Sequence, residues 1–167
     1  PLEQVDDNTS THHRSRVVTT GEHEWQERHA ARNSGHYVRM THAVVALALP
    51  GVVAFDLSTA AQVFGHPEED EYSFEVVTSD GRQVPSSTGF QIAGVGDPSS
   101  LRQADTIVIP GYSPHTTPSD DVLEALRSAH SRGTRVVSIC TGAFALAPTG
   151  LLDGLSATTH WQDAQEL

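Results

Sequence analysis

The chain's single cysteine, Cys140, ends a strand-like run, Arg135-Val136-Val137-Ser138-Ile139, and opens a helical pattern that reaches Leu152. Ser138 stands two residues before it and Gly142 two residues after. Small residues at those two positions are the sulfur counterpart of the G-x-S-x-G nucleophile elbow. There the strand-to-helix turn is so tight that bulk on either flank would clash. Such a turn sets the sulfur at a helix N-terminus, where free N–H groups and the positive dipole end favour a thiolate. The expected consequence is a cysteine pKa lowered from about 8.5 into the range of roughly 3.5–7.5. An isolated cysteine is otherwise a small buried hydrophobe. The strand–turn–helix context favours chemistry.

Four further residues join Cys140 as candidates. Asp56 follows the first strand pattern, where it could cap a helix or face the sulfur. An ionised carboxylate beside a thiolate raises both pKa values. The useful arrangement therefore has Asp56 protonated and donating to the sulfur, one proton being shared by the pair. Gly111 ends another apolar run, and its N–H is expected to join that of Thr141 in an oxyanion hole. The Thr141 hydroxyl, directly beside the sulfur, suits either orienting a water or ligand or capping the helix. His160 closes Ala157-Thr158-Thr159-His160-Trp161 and is expected to line the same crevice as a ligand-binding group. His115, in a loop rich in Pro, Ser and Thr, could overhang it. A metal held by Cys140 and His160 would need three or four ligands. No spacing supplies them, so neither metal nor cofactor is expected.

The elements that must position these residues alternate along the chain. Val44–Leu49 is a continuous apolar run, the mark of a parallel strand buried on both faces. Ser58 is the expected N-cap of a helix reaching Phe64, and Ser73–Thr78 reads as the second strand. Val84–Ile92 suggests a hairpin-like excursion after the Asp80-Gly81 turn, and Pro98–Gln103 one or two helical turns. Thr106–Ile109 is a third main strand, Asp120–Arg132 a helix stopped by Gly133, and Val136–Ile139 the strand before the elbow. A short last strand is expected near Ser156–Thr159, and a helix from Gln162 to Leu167. Strand–helix alternation of this kind gives an α/β fold with a doubly wound parallel sheet. Ligands bind such sheets beyond the C-terminal strand ends. Asp56, Gly111 and Cys140 each fall just past one.

Composition narrows the function. The 167 residues carry a net charge of −11, and all ten basic residues are Arg. The absence of Lys excludes Schiff-base chemistry and a phosphate-loop lysine. An acidic chain without a basic cluster is not built to grip nucleic acid by itself. One cysteine excludes an internal disulfide and suits a reducing, cytoplasmic setting. Residues 1–39 hold five of the ten His but show no periodicity, and are expected to be a disordered extension. The folded domain is expected over 40–167. Ala43–Phe55 could pass for the apolar part of a signal peptide, but Pro50-Gly51 and Asp56 argue against that.

Together the motifs resemble the ThiJ/PfpI superfamily, with its class I glutamine amidotransferase-like, flavodoxin-like fold. The matching residues are Phe55-Asp56-Leu57, Val108-Ile109-Pro110-Gly111, Ser138-Ile139-Cys140-Thr141-Gly142, Gly150-Leu151-Leu152-Asp153-Gly154 and Ala157-Thr158-Thr159-His160-Trp161. Two branches are most similar: GlxA-like AraC-type transcriptional regulators, which carry this domain ahead of a helix-turn-helix module, and isonitrile hydratase. The first implies a ligand-sensing domain that binds a small molecule at Cys140 and reaches DNA only through the helix-turn-helix module, without a membrane role. The second implies hydration of an isonitrile through Cys140, Asp56 and Thr141. A redox sensor built on an exposed low-pKa thiolate is a third possibility. Peptidase-like members place His after the cysteine; here Thr141 stands there, which argues against a Cys-His hydrolase. Tyr112 replaces a frequent second glycine and is expected to narrow the pocket mouth. The wider family often forms homodimers. The resemblance also implies an incomplete copy: the family's later strands and the helix-turn-helix module are not in this sequence. The uncovered apolar faces would then favour aggregation.

Overall fold

A computed structural model of the chain describes residues 41–66, 71–93 and 95–167. The expected disordered extension and residues 67–70, shortly before the second strand, lie outside the described residues. Four strands form one parallel sheet in the order β2-β1-β5-β6. They are β1 (His42–Leu47), β2 (Tyr72–Val77), β5 (Thr106–Ile109) and β6 (Arg135–Ser138). Between β2 and β5 a short antiparallel hairpin, β3 (Val84–Pro85) with β4 (Gln91–Ile92), makes a separate two-stranded sheet. The doubly wound parallel α/β expectation is met.

The continuous apolar runs follow from burial on both faces. Val45, Leu47, Ile107 and Ile109 point to one side, where they pack with α2 (Asp120–Ser131) through Val122, Leu126 and Ala129. Val44 and Val108 point to the other side, against Ala60 of α1 (Ala54–Phe64). Alternation within one strand thus serves two hydrophobic layers instead of one wet and one dry face. A five-residue 3-10 helix, Pro98–Arg102, leads into β5 and buries Leu101 in the α2 layer. Asp97 caps it by accepting the Ser99 N–H at 2.8 Å. Gly133 ends α2 with φ +86°, and the Gly133 and Thr134 N–H groups close on the His130 and Ala129 carbonyls.

Three expectations are corrected. The first helix begins at Ala54, not after Ser58; its N-cap is Val53, which has no capping side chain. The Val53 N–H donates instead to the Gly111 carbonyl at 2.7 Å, so a tertiary contact anchors the start of the helix. Asp56 therefore lies in the first turn of α1 rather than in a loop. After Cys140 the helix is broken into a 3-10 turn (Cys140–Gly142), one α-helical turn α3 (Ala143–Leu146) and a second 3-10 turn (Ala147–Thr149). Pro148 removes a donor in this stretch, which fits the break. Finally, 156–160 has no regular secondary structure and no strand pairing, and 161–166 forms turns rather than a helix. Successive turn bonds, Asp163 N–H to His160 O and Glu166 N–H to Asp163 O, hold that segment.

Leu126 is fully buried between α2 and the sheet. Leu126→Ala should cost about 2–5 kcal/mol in urea unfolding, because the close-packed layer cannot fully collapse into the gap. Arg127→Ala, one residue on, loses only an exposed 3.1 Å pair with Glu124 and should cost about 1 kcal/mol or less.

Candidate functional site

The site is assembled where β1, β5 and β6 end. Neighbouring β1 and β5 carry the chain away in opposite directions, to β2 on one side and β6 on the other. Their C-terminal ends are the topological switch point of the sheet, the place where such folds bind ligands. Asp56 enters from α1, just after β1. Gly111 follows β5, and Cys140 follows β6.

Cys140 has φ +54°, the sole non-glycine residue with positive φ among the described residues. For a side chain with a Cβ this conformation costs about 1–3 kcal/mol and persists only where the surroundings over-determine it. Here they do. Ile139 N–H donates to Ile109 O at 2.9 Å, tying the end of β6 to β5. Gly142 N–H folds back to Ile139 O at 2.9 Å. A Cβ on Gly142 would lie 2.1 Å from the Ile109 carbonyl oxygen, so only glycine lets the turn close against β5. The Thr159 hydroxyl donates to the Cys140 carbonyl at 3.0 Å and brings the 156–160 segment against the elbow.

Gly111 is the meeting point. Its N–H donates to Asp56 Oδ2 at 3.1 Å, while its carbonyl takes the Val53 N–H. A Cβ there would approach Asp56 Oδ2 at 2.6 Å, Thr141 Oγ1 at 2.8 Å and Cys140 Cβ at 3.3 Å. Glycine is required for space, and the same three distances place Asp56, Thr141 and Cys140 around one point. The Gly111 N–H is thus committed to the carboxylate and is not free for the expected oxyanion hole.

Asp56 is only 7 % exposed and sits in the first turn of α1, where the N–H-rich helix end favours a negative charge. It lies close enough to Cys140 to act on it through both its charge and a hydrogen bond. Burial pushes the Cys140 thiol up, and Asp56 pushes it the same way as an acceptor that holds the proton on sulfur. Hydrogen bonds from Thr141, its backbone N–H foremost, oppose this without overcoming it. The low-pKa thiolate expected at an elbow is therefore not what this site holds. The helix behind Cys140 is short and broken, which weakens the dipole that would have lowered the pKa.

Thr141 is buried, and its hydroxyl is engaged twice by one backbone. It accepts from Tyr112 N–H at 3.0 Å and donates to Tyr112 O at 3.1 Å. A hydroxyl has one proton, so donation to the Tyr112 carbonyl withholds it from sulfur. The Thr141 N–H is accordingly the stronger of its two influences on Cys140. Tyr112 does not narrow a pocket mouth. It is 1 % exposed, packs in the α2-side core, and donates its hydroxyl to Thr116 O at 3.1 Å. Burial pushes that phenol up to about 12. His160 is half-buried and lies within 3.5 Å of Asp163 Oδ2 through Nδ1, which also faces the Gln162 N–H at 3.4 Å. It follows Thr159, the residue bound to the elbow, yet the contacts of its Nδ1 run to its own segment. His115 stacks flat on Phe144 of the elbow helix, ring centroids 4.4 Å apart. That contact was not anticipated, and no signal in the sequence pairs a loop His with a residue so far along.

Two outcomes are expected. Asp56→Asn removes both the charge and the strong acceptor, so Cys140 should titrate at lower pH than in the unaltered chain. Alkylation rate against pH is the measurement, and an unchanged or higher midpoint would contradict the pairing. Because the folded thiol pKa is raised, the thiol contributes stability below its unfolded value of about 8.5 and loses it as pH rises through the folded value. Thermal midpoints should accordingly decline faster above that pH in the unaltered chain than in Cys140→Ala.

Comparison with known proteins bears on the family and the fold. The DJ-1/PfpI family profile matches residues 41–167. An uncharacterized Streptomyces lividans protein from the cpoL 5′ region is 38% identical over 130 residues, covering 75% of this chain and 92% of that protein. The HTH-type transcriptional regulator CdhR of Pseudomonas aeruginosa is 31% identical over 120 residues, which is 70% of this chain but 36% of the regulator. Isonitrile hydratase of Pseudomonas putida is 32% identical over 117 residues, 69% of this chain and 50% of that enzyme. The chain thus spans a third to a half of these last two relatives and nearly all of the first. Among solved structures, Drosophila melanogaster DJ-1beta superposes with a TM-score of 0.64 at 24% identity, covering 77% of this chain and 70% of that one. An AraC family transcriptional regulator from Pseudomonas putida gives 0.60 at 20% identity, covering 75% and 70%. Among the described residues no helix is long and apolar enough to cross a membrane. The chain, from residue 41 to its last residue, belongs to the DJ-1/PfpI family.

Proposed function

We propose that this domain senses a small molecule at the Cys140 crevice on behalf of an AraC-type transcriptional regulator, DNA contact being made by a helix-turn-helix module outside this sequence. The observation that carries it is the state of the site. Burial and Asp56 hold Cys140 as a protonated thiol, and the Thr141 hydroxyl is occupied by the Tyr112 backbone. A thiol held neutral and a hydroxyl already spent suit binding better than turnover, since the thiolate is the nucleophile. The similarity to CdhR supports the regulatory setting, and the chain's lack of a basic cluster agrees with leaving DNA to another module.

The alternative is isonitrile hydration, favoured by the similarity to isonitrile hydratase together with the convergence of Asp56, Cys140 and Thr141 on Gly111. In that reaction the Cys140 proton passes to Asp56 as sulfur attacks the terminal carbon of R–NC, and Asp56 returns it to that carbon. Water then adds to the thioimidate and expels the thiol, leaving the N-formamide R–NH–CHO. Overall one water is consumed and the enzyme is restored.

The two readings are separated by one experiment. The chain is incubated with an alkyl isonitrile while melting temperature and formamide are both followed. Sensing predicts no formamide, with stabilisation by at least one member of a panel of small polar metabolites that is lost in Cys140→Ala and Asp56→Asn. Formamide produced catalytically and abolished in Cys140→Ala would replace sensing by the enzyme reading. Reading the gene beyond Leu167 in all frames should reveal helix-turn-helix coding sequence, and its absence would count against the regulator.

A further inference from the structure

Outside the Cys140 crevice, one cluster of metal-ligating side chains is shared by two segments that flank the elbow. One ligand atom each from His115, Asp163 and Glu166 lies within 4.8 Å of the others. His115 comes from the loop after β5, and the two carboxylates come from the turns at 161–166. We propose that these three residues form a binding site for a divalent transition-metal ion of the Zn²⁺ type, clamping the two segments together over Phe144. This inference is independent of the sensing proposal.

The imidazole supports it apart from the carboxylates. His115 lies parallel to the Phe144 ring, 4° between planes, with the Tyr112 ring edge-on at 6.0 Å. The stacking sets its plane, while its ring nitrogens take no hydrogen bond among the described residues. An oriented imidazole with unspent nitrogens beside two carboxylates is a ligand set suited to Zn²⁺. Asp163 is half-buried, and its position is constrained by the successive turn bonds at its N–H and carbonyl and by His160 Nδ1 at 3.5 Å. That Nδ1 has one role at a time: neutral, it accepts the Gln162 N–H; protonated, it pairs with Asp163. Metal bonds of about 2.0–2.2 Å require the three groups to draw in by roughly 1 Å, within reach of the exposed Glu166 side chain. A water would complete four-coordination.

Five histidines in residues 1–39 would bind metal on their own, so the test uses the full chain with His12, His13, His23, His29 and His36 changed to Gln. Calorimetric titration with Zn²⁺ should then show one equivalent bound and a raised melting temperature, since an ion that binds only the folded chain stabilises it. Glu166→Gln, a near-isosteric change at an exposed position, should weaken binding at least about tenfold, and so should His115→Ala and Asp163→Asn. Co²⁺ substituted for Zn²⁺ should give a spectrum without the thiolate charge-transfer band that ligation by Cys140 would add. The proposal is overturned by no binding, by affinity indifferent to Glu166→Gln and His115→Ala, or by a thiolate band.

Discussion

The hydrogen bond from the Gly111 amide to the Asp56 carboxylate, 3.1 Å long and buried, is the contact on which the site depends. It joins the first turn of α1 to the end of β5 across 55 residues, and the reverse bond from Val53 N–H to the Gly111 carbonyl doubles it. A hydrogen bond to a charged group contributes about 1.5–3 kcal/mol, and leaving a buried partner unmet costs a similar amount. Both ends of this pair are buried, so neither has water as a substitute. The absence of a Cβ at position 111 then lets Thr141 and Cys140 approach from the third side. Hold this point, and three strand ends are in register; widen it by one methyl group, and they separate.

That arrangement decides the character of the sulfur. A helix N-terminus and a flanking N–H pull a thiol toward ionisation, while burial and a nearby carboxylate pull the other way. At Cys140 the second pair prevails, because the helix that should supply the dipole is one α-helical turn between two 3-10 turns. Elbow geometry and thiolate chemistry are therefore separable. The φ of +54° exposes a sulfur at the strand end whatever its protonation state. The reactivity is set afterwards by the companions that the fold brings to it. A ligand that displaced the carboxylate from the sulfur would change that state without moving the backbone.

What could be read from the chain divides along the same line. Sheet strands buried on both faces must be apolar throughout, so the runs Val44–Leu49 and Thr106–Ile109 announce themselves and their parallel arrangement follows from alternation with helices, although the first strand is His42–Leu47. The elbow was legible because its steric demand falls on near neighbours, Gly142 above all. The start of α1 was not, because its cap is the Gly111 carbonyl, far along the chain, and Ser58 offered a nearer but unused alternative; its hydroxyl donates to Phe55 O instead. Gly111 itself was recognisable as important, but a free N–H and one bound to Asp56 leave the same letter in the sequence. Tyr112 misled for a related reason. An aromatic after a strand-end glycine is equally consistent with a rim and with a core, and only the packing against Val122 and Leu126 decides.

The segment after residue 150 shows why local pattern loses authority at the margin of a fold. Ser156–Thr159 has the β-branched content of a strand, yet no neighbouring strand in the described structure offers it a ladder, and β-propensity is mainly a preference for a pleated partner surface. Its backbone is secured instead by one side-chain bond, Thr159 to the Cys140 carbonyl. The following residues close into turns through bonds of three-residue span. Such turns are weakly cooperative, since each bond fixes several dihedral angles. The segment's placement near the elbow therefore rests on a side chain, Thr159, while Asp163 and Glu166 come near His115 farther along. Thr159 binds the Cys140 carbonyl and His115 stacks on Phe144, so the segment after residue 156 and the loop after β5 both meet the turn that holds the sulfur.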